Sequence, residues 1–264
     1  MMIKLPKNLV DKPWGRYDLP TNMGGQGRQI GEIWFDDIQL PLPLLVKWLF
    51  TSEKLSVQVH PNDAQAMSRG LKSGKEECWV ITQAEPNAVL GIGTQQNLND
   101  EELRQAAISG DIEHLMDWKP VKAGDWFYIP AGTIHAIGAG VTLVEIQQNS
   151  DITYRLYDYG RPRELHLDDG VSVSVAKPYD DPRHGQLPIG DGLVQLLSSP
   201  HFTLYYGNET AINILAEDKP IWLIPIHGQA DLSGMDVGIG EVAYGTKNGK
   251  WSCDDGCVFL AAYI

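Results

Sequence analysis

The stretch Leu55-Ser56-Val57-Gln58-Val59-His60-Pro61-Asn62-Asp63 decides how the rest of the chain is read. Alternating apolar and polar residues from Leu55 to His60 predict a strand in which every second side chain shares a face. Ser56, Gln58 and His60 then point one way, and Leu55, Val57 and Val59 the other. The apolar face backs onto a core, while the polar face sets an amide oxygen and an imidazole about 7 Å apart along the strand. Both are metal-ligand types. Two further candidates follow downstream: Glu77 in Gly74-Lys75-Glu76-Glu77-Cys78-Trp79, and His135 in Ile129-Pro130-Ala131-Gly132-Thr133-Ile134-His135. Taken alone, His60 reads more simply as a strand-end residue hydrogen-bonded to a loop.

The composition narrows the setting. A chain of 264 residues can bury a sizeable core, and 27 Gly with 16 Pro point to many short strands and turns rather than long helices. A formal charge of -13 argues against a nucleic acid or an anionic membrane as the main partner. An anionic substrate would have to be caught by a local positive cluster against that field. No apolar run approaches the roughly 20 residues a membrane span needs. The start, Met1-Met2-Ile3-Lys4-Leu5-Pro6, lacks the apolar core of a signal peptide, so the expected location is the cytoplasm. Three cysteines, Cys78, Cys253 and Cys257, are too few for a disulfide framework, and Cys253-Asp254-Asp255-Gly256-Cys257 reads as a turn.

Outward from the opening stretch, strand patterns dominate. Residues 1 to 30 read as loop and short edge structure, and Gly31 to Phe35 and Leu44 to Phe50 as strands. A short helix is predicted from Asp63 to Arg69, stopped by Gly70. Strands follow over Glu77 to Thr82 and Asn87 to Ile92. A helical insertion over about 96–118 opens on the capping box Asn99-Asp100-Glu101-Glu102 and continues through Leu103, Ala106 and Ala107. A second short helix through Ile112, Leu115 and Met116 is predicted to end near Asp117. Strands return at Trp126 to Ile129, Val141 to Gln148 and Thr153 to Tyr157. Residues 158 to 190 read as a linker, and five strand-like runs recur beyond it: 193–197, 202–206, 211–215, 221–226 and 258–264. The expected organisation is mainly β, with a first domain over 1–170 and a smaller β-sandwich unit over 171–264 that carries no metal.

The spacing Gly124-x5-Pro130-x-Gly132-x2-His135 resembles the second metal-binding motif of cupins, double-sheet jelly-roll barrels whose strands converge on a small-molecule pocket. The first cupin motif commonly carries two histidines around one residue, whereas this chain has Gln58-Val59-His60. That departure, within Leu-Ser-Val-Gln-Val-His-Pro-Asn-Asp, resembles the type I mannose-6-phosphate isomerases. Gly31-Glu32-Ile33-Trp34, Lys75 two residues before Glu77, and the run Val144 to Arg155 with its Asn149-Ser150-Asp151 segment extend the likeness across residues 31 to 160. The chain is similar to the compact bacterial branch of that family.

The resemblance implies one zinc ion held by Gln58, His60, Glu77 and His135, and interconversion of mannose 6-phosphate and fructose 6-phosphate through an enediolate. It places the active-site arginine at Arg155 and makes Glu145 the first choice of base, with Lys75 and Asp151 as alternatives. Lys75, Ser56 and Asp151 are the expected substrate contacts, the partner is a small phosphosugar, and the assembly is a monomer or homodimer. The residue types agree with this chemistry. Two imidazoles, a carboxylate and an amide suit zinc, a base must reach C1 and C2, and a guanidinium suits a developing oxyanion. Taken singly, Arg155 and Lys75 read equally well as solvated surface cations, while Glu145 inside Leu-Val-Glu-Ile is a costly residue to bury without a partner. Trp79, Trp126 and Tyr154 are expected in the core. The rivals are an iron- or manganese-dependent cupin dioxygenase, since two His and a carboxylate accept those metals, and a catalytically silent sugar-binding cupin.

Overall fold

The computed structural model describes residues 2–190 and 192–264. As expected, the chain is mainly β, and two antiparallel sheets form a jelly-roll barrel around the opening stretch. One sheet has the order Tyr154–Tyr157, Val57–Val59, His135–Ile137, Val89–Thr94, Met116–Pro120. The other runs His184–Gln186, Asp125–Ile129, Glu77–Ala84, Val141–Gln148, Leu44–Phe50, Ile30–Phe35, Lys7–Arg16.

Strand periodicity explains what each sheet buries. Along Val141–Gln148, Val141 and Leu143 enter the barrel core with Leu49, Trp79, Ile81, Leu90 and Ile92. Val144 and Ile146 face the opposite way, into a second core with Val46, Trp48, Val80, Trp222, Ile224 and Leu260. That second core joins the barrel to a C-terminal six-stranded sheet. Burial on both faces is why Leu44–Phe50 and Val141–Gln148 read as nearly continuous apolar runs. The six-stranded sheet has the order Met2–Lys4, Ala243–Thr246, Pro220–His227, Val258–Tyr263, Thr203–Asn208, Leu193–Ser198. Its other face packs Leu223, Phe259 and Ala261 against Leu232 and Trp251 of a three-stranded sheet.

The helices form where local signals are strongest. The Asn99 side chain accepts from the Glu102 backbone N–H at 2.9 Å, and Glu102 returns a bond to the Asn99 N–H at 2.8 Å. The helix Asp100–Ser109 ends on Gly110 at φ +87°, a left-handed cap that favours glycine. Its Leu103, Ala106 and Ala107 cover Val57, Val59 and Leu156, so the insertion seals the outside of the five-stranded sheet. Asp63–Met67 is likewise opened by a capping box, of Asn62 and Gln65.

Several expectations fail for identifiable reasons. The regular strand is only Val57–Val59, and Leu55 turns into the barrel core rather than sharing the face of Val57 and Val59. The second insertion helix is Ile112–Leu115, and Met116 opens the strand Met116–Pro120, which pairs with Val89–Thr94. Ala211 to Leu215 holds a 3-10 turn, Ile212–Ile214, because burial of Ala211, Ile212 and Leu215 needs no strand partner. The region read as a linker carries the helix Leu167–Val173 and the strand His184–Gln186, which pairs with Asp125–Ile129. Residue 170 lies within that helix, and Met2–Lys4 pairs with Ala243–Thr246 in the C-terminal sheet. No helix among the described residues is long and apolar enough to cross a membrane.

Candidate metal centre and cationic cavity

Sheet register assembles the site. In the five-stranded sheet Gln58 lies opposite His135 on one side and Arg155 on the other, so three distant segments meet in one row. In the facing sheet Glu77 lies opposite Gln147, and two residues along, Glu145 is flanked by Trp79 and Lys47. Period-two alternation turns Glu145 and Gln147 into the barrel with Val141 and Leu143. The turn at Gly132, φ +83°, sits where the chain folds back ahead of His135.

His60, Glu77 and His135 are all buried, and one ligand atom from each lies within 4.8 Å of the others. His135 Nε2 is 3.4 Å from Glu77 Oε1, and His60 Nε2 is 3.7 Å from Glu77 Oε2. His135 Nδ1 donates to the Thr133 carbonyl at 2.9 Å, which leaves Nε2 as the free lone pair. His60 Nε2 and both Glu77 oxygens are buried and complete no hydrogen bond. Buried polar atoms are rarely left so. The donor set matches a divalent cation, which would satisfy all three atoms at once. Gln58 Nε2 stands 3.3 Å from His135 Nε2, and Gln58 Oε1 accepts from Ser56 Oγ at 3.2 Å. A flip of the amide exchanges its oxygen and nitrogen without moving any other atom and brings the oxygen to the ligand side.

The electrostatics follow from burial. Burial, reinforced by Lys75 and His135, lowers His60 well below the usual imidazole range, and burial lowers His135 to about 4. Both rings are therefore neutral near pH 7, as metal ligands must be. Burial, with Glu145 adding to it, pushes Glu77 up to about 8 against the pull of Lys75 and Lys47. Burial would raise Glu145 too, but Lys47 and then Lys75 outweigh it and hold this carboxyl at about 2. Lys47 Nζ donates to Glu145 Oε1 at 3.1 Å, and Trp79 Nε1 donates to Oε2 at 3.0 Å.

Beside the ligands opens a cavity of about 220 Å³ lined by Ser56, Gln58, Lys75, Glu145, Asp151 and Arg155. These include every residue expected to touch substrate. Lys12, Lys47 and Arg163 also line it, giving five cations against Glu32, Glu145 and Asp151. A concentrated positive wall in an acidic chain fits an anionic ligand. Arg155 Nη1 donates to the Glu164 carbonyl at 2.9 Å, while its buried Nε has no hydrogen-bond partner. Lys75 Nζ is 3.3 Å from Glu77 Oε2.

Lys47 is a cavity-wall residue that the sequence pattern did not single out, and a signal existed. A lysine in the centre of the apolar run Leu44–Phe50 must be paired if the strand is buried on both faces. Lys47 also lies 4.8 Å from the Trp34 ring centroid, which gives the Glu32-Ile33-Trp34 segment its place in the wall. Trp79 is core as expected, yet its indole N–H serves Glu145. Trp126 and Tyr154 are buried in cores away from the cavity.

Comparison with known proteins bears on the chain as a whole. No family model matches the chain. The chain is 43% identical over 191 residues to the mannose-6-phosphate isomerase of Streptococcus mutans, an alignment covering 70% of this chain and 60% of that protein. It is 38% identical over 218 residues to mannose-6-phosphate isomerase ManA of Bacillus subtilis, covering 78% of this chain and 67% of the relative. The chain thus spans three-fifths to two-thirds of the length of these relatives. The crystal structure of the Bacillus subtilis mannose 6-phosphate isomerase superposes with a TM-score of 0.85 at 25% identity, over 100% of this chain and 99% of that one. A zinc-bound mannose 6-phosphate isomerase shares the fold, with a TM-score of 0.70 at 15% identity over 99% of each chain. With jelly roll, buried His-Glu-His group and cationic cavity in one barrel, the chain belongs to the mannose-6-phosphate isomerase family.

Proposed function

We propose that this chain interconverts mannose 6-phosphate and fructose 6-phosphate through an enediolate, using one zinc ion held by Gln58, His60, Glu77 and His135. The observation that carries the reading is the buried His60-Glu77-His135 group, in which His60 Nε2 and both Glu77 oxygens complete no hydrogen bond, set beside a cavity that Gln58 and Lys75 share with a cationic wall. The family membership, and the zinc bound by a fold relative, support both the substrate and the metal. When bound, zinc supplies a Lewis-acid centre for substrate oxygens.

The chain's own residues supply the rest. Glu145 takes the proton from C2 of the aldose and returns it to C1 of the enediolate, while the O2 hydroxyl proton passes to O1, and the reverse reaction runs the same path backwards. Its carboxylate is ionised at neutral pH, but the Lys47 pairing makes it a weak base at rest. Engagement of Lys47 by substrate would restore basicity, because the pairing is what depresses the carboxyl. Arg155, always protonated and with an unpartnered Nε, donates to the oxygen on which charge develops. Lys75, Ser56 and Asp151 bind and orient the sugar phosphate from the cavity wall. Lys75 and Asp151 remain the alternative bases. The assembly is proposed to be a monomer or homodimer acting on a small phosphosugar in the cytoplasm.

A coupled assay on purified, zinc-loaded protein tests the reading by comparing mannose 6-phosphate with free mannose. Turnover of the phosphosugar far above that of mannose is expected. Equal rates, or none, would overturn it.

A further inference from the structure

Two loops meet behind the metal ligands, one leading away from His60 and one leading into Glu77. Lys75 N–H donates to the Pro61 carbonyl at 3.0 Å. Gly74 N–H donates to Asp63 Oδ1 at 2.8 Å, and Gln148 Nε2 donates to the same oxygen at 2.9 Å. Gln148 closes the ring, because its Oε1 accepts from Glu76 N–H at 3.0 Å and its own N–H donates to the Glu76 carbonyl at 3.1 Å. Packing is tight enough that a Cβ on Gly74 would stand 2.4 Å from the Pro61 carbonyl oxygen. Lys75 is therefore held between two anchored neighbours, with only 4% of its surface exposed and its ammonium on the cavity wall. Asp63 does not line the cavity. Its other oxygen faces His201 of the C-terminal unit at 4.0 Å, and His201 Nε2 lies 3.6 Å from Glu76 Oε2.

We propose that Asp63 is a positioning residue that aims Lys75 into the cavity by pinning Gly74 and Gln148 through a single carboxylate oxygen. The competing role is a helix one, since Asp63 is also the acidic first-turn residue of Asp63–Met67. The two roles separate chemically. A first-turn charge acts through its charge, whereas the pinning oxygen needs only to accept two hydrogen bonds. An asparagine keeps that oxygen and loses the charge. The capping bonds of this helix belong to Asn62 and Gln65 and are untouched by either substitution.

The proposal rests on the isomerase reading for its kinetic consequence, so the test carries an arm that needs no turnover. In Asp63→Ala, kcat on mannose 6-phosphate should fall roughly tenfold to a hundredfold, the scale of a small misplacement of a catalytic-site group. KM should rise as well, because Lys75 is a proposed substrate contact, and one metal per chain should be retained. Asp63→Asn should keep kcat close to wild type. Gln148→Met, which removes both the donor to Asp63 and the acceptor for Glu76, should reproduce the alanine result and stands in for it if that variant does not fold. Amide hydrogen exchange should quicken at Gly74 and Lys75 in Asp63→Ala and Gln148→Met but not in Asp63→Asn. Wild-type kcat in the alanine variant, a loss that tracks metal content, or an asparagine variant as impaired as alanine would each overturn the proposal. If the wild type itself shows no turnover, the isomerase reading fails, and the exchange arm alone decides whether Asp63 anchors Lys75.

Discussion

The strands Val141–Gln148 and Val258–Tyr263 occupy equivalent places in the two halves of the molecule, each central in its sheet and buried on both faces. Val258–Tyr263 reads Val-Phe-Leu-Ala-Ala-Tyr, sends Phe259 and Ala261 into one core and Leu260 and Ala262 into the other, and carries no ionisable group besides a tyrosine at its end. Val141–Gln148 follows the same alternation, but its inward face ends in Glu145 and Gln147. An isolated carboxylate there would cost several kcal/mol to bury. It is tolerated because Lys47 and Trp79 were built opposite it in register. One strand completes a core, and the other gives up apolar packing to face a cavity. The difference marks the candidate site.

Breaking the polar half should have effects that breaking the apolar half does not. The largest is expected for His60→Ala, which should lower bound metal to well under one per chain and abolish turnover with it. His227→Ala in the C-terminal unit, where Nδ1 meets the Gly256 carbonyl at 2.9 Å, should leave both unchanged. Metal analysis beside the coupled assay checks the pair, and a His60 variant that keeps its metal would contradict the ligand set.

Arg155→Ala should come next. Loss of one donor aimed at a developing oxyanion typically costs on the order of 100-fold or more in kcat, and metal content should stay at wild type. A fall in metal matching the fall in rate would move Arg155 from substrate chemistry to metal binding. Glu145→Gln keeps the shape and removes the base. Exchange of the substrate C2 proton with solvent should drop sharply, and exchange at the wild-type rate would pass the role to Lys75 or Asp151.

The smallest effect concerns protons released on metal binding. Glu77, pushed up to about 8, holds its proton at pH 7 in the metal-free protein, while burial has already left His135 and His60 neutral. Binding must therefore expel about one proton, from Glu77, and affinity should rise about tenfold per pH unit up to about pH 8 and level off above it. Calorimetry in two buffers of different ionisation enthalpy counts that proton. Release of none would mean that Glu77 is already ionised.

What the sequence displayed and what it concealed divide along the same line. The candidate ligands could be picked out because Gln58 and His60 sit at two-residue spacing and the Gly132 turn precedes His135 in a fixed pattern, and the fold brings His60, Glu77 and His135 together. The helix Asp100–Ser109 was legible from its capping box alone. Lys47 was hidden because its partner Glu145 lies 98 residues away, and only sheet register joins them. The short strands Gln229–Leu232, Asp236–Gly238, Ala243–Thr246 and Trp251–Cys253 were missed because three or four residues give too little alternation to distinguish from turns. The region from 158 to 190 looked like a linker because its polar residues are spent on packing against the barrel rather than on a core of its own.

The central claim is that the inward polar face of the barrel is a metal-dependent isomerase site. It is tested most directly by proton NMR of mannose 6-phosphate with the purified protein in deuterated water. Fructose 6-phosphate should accumulate with exchange at C2, stop on addition of a chelator, and resume when zinc is restored. Turnover that persists in the fully metal-stripped protein, or none when zinc is bound at one per chain, would contradict the account.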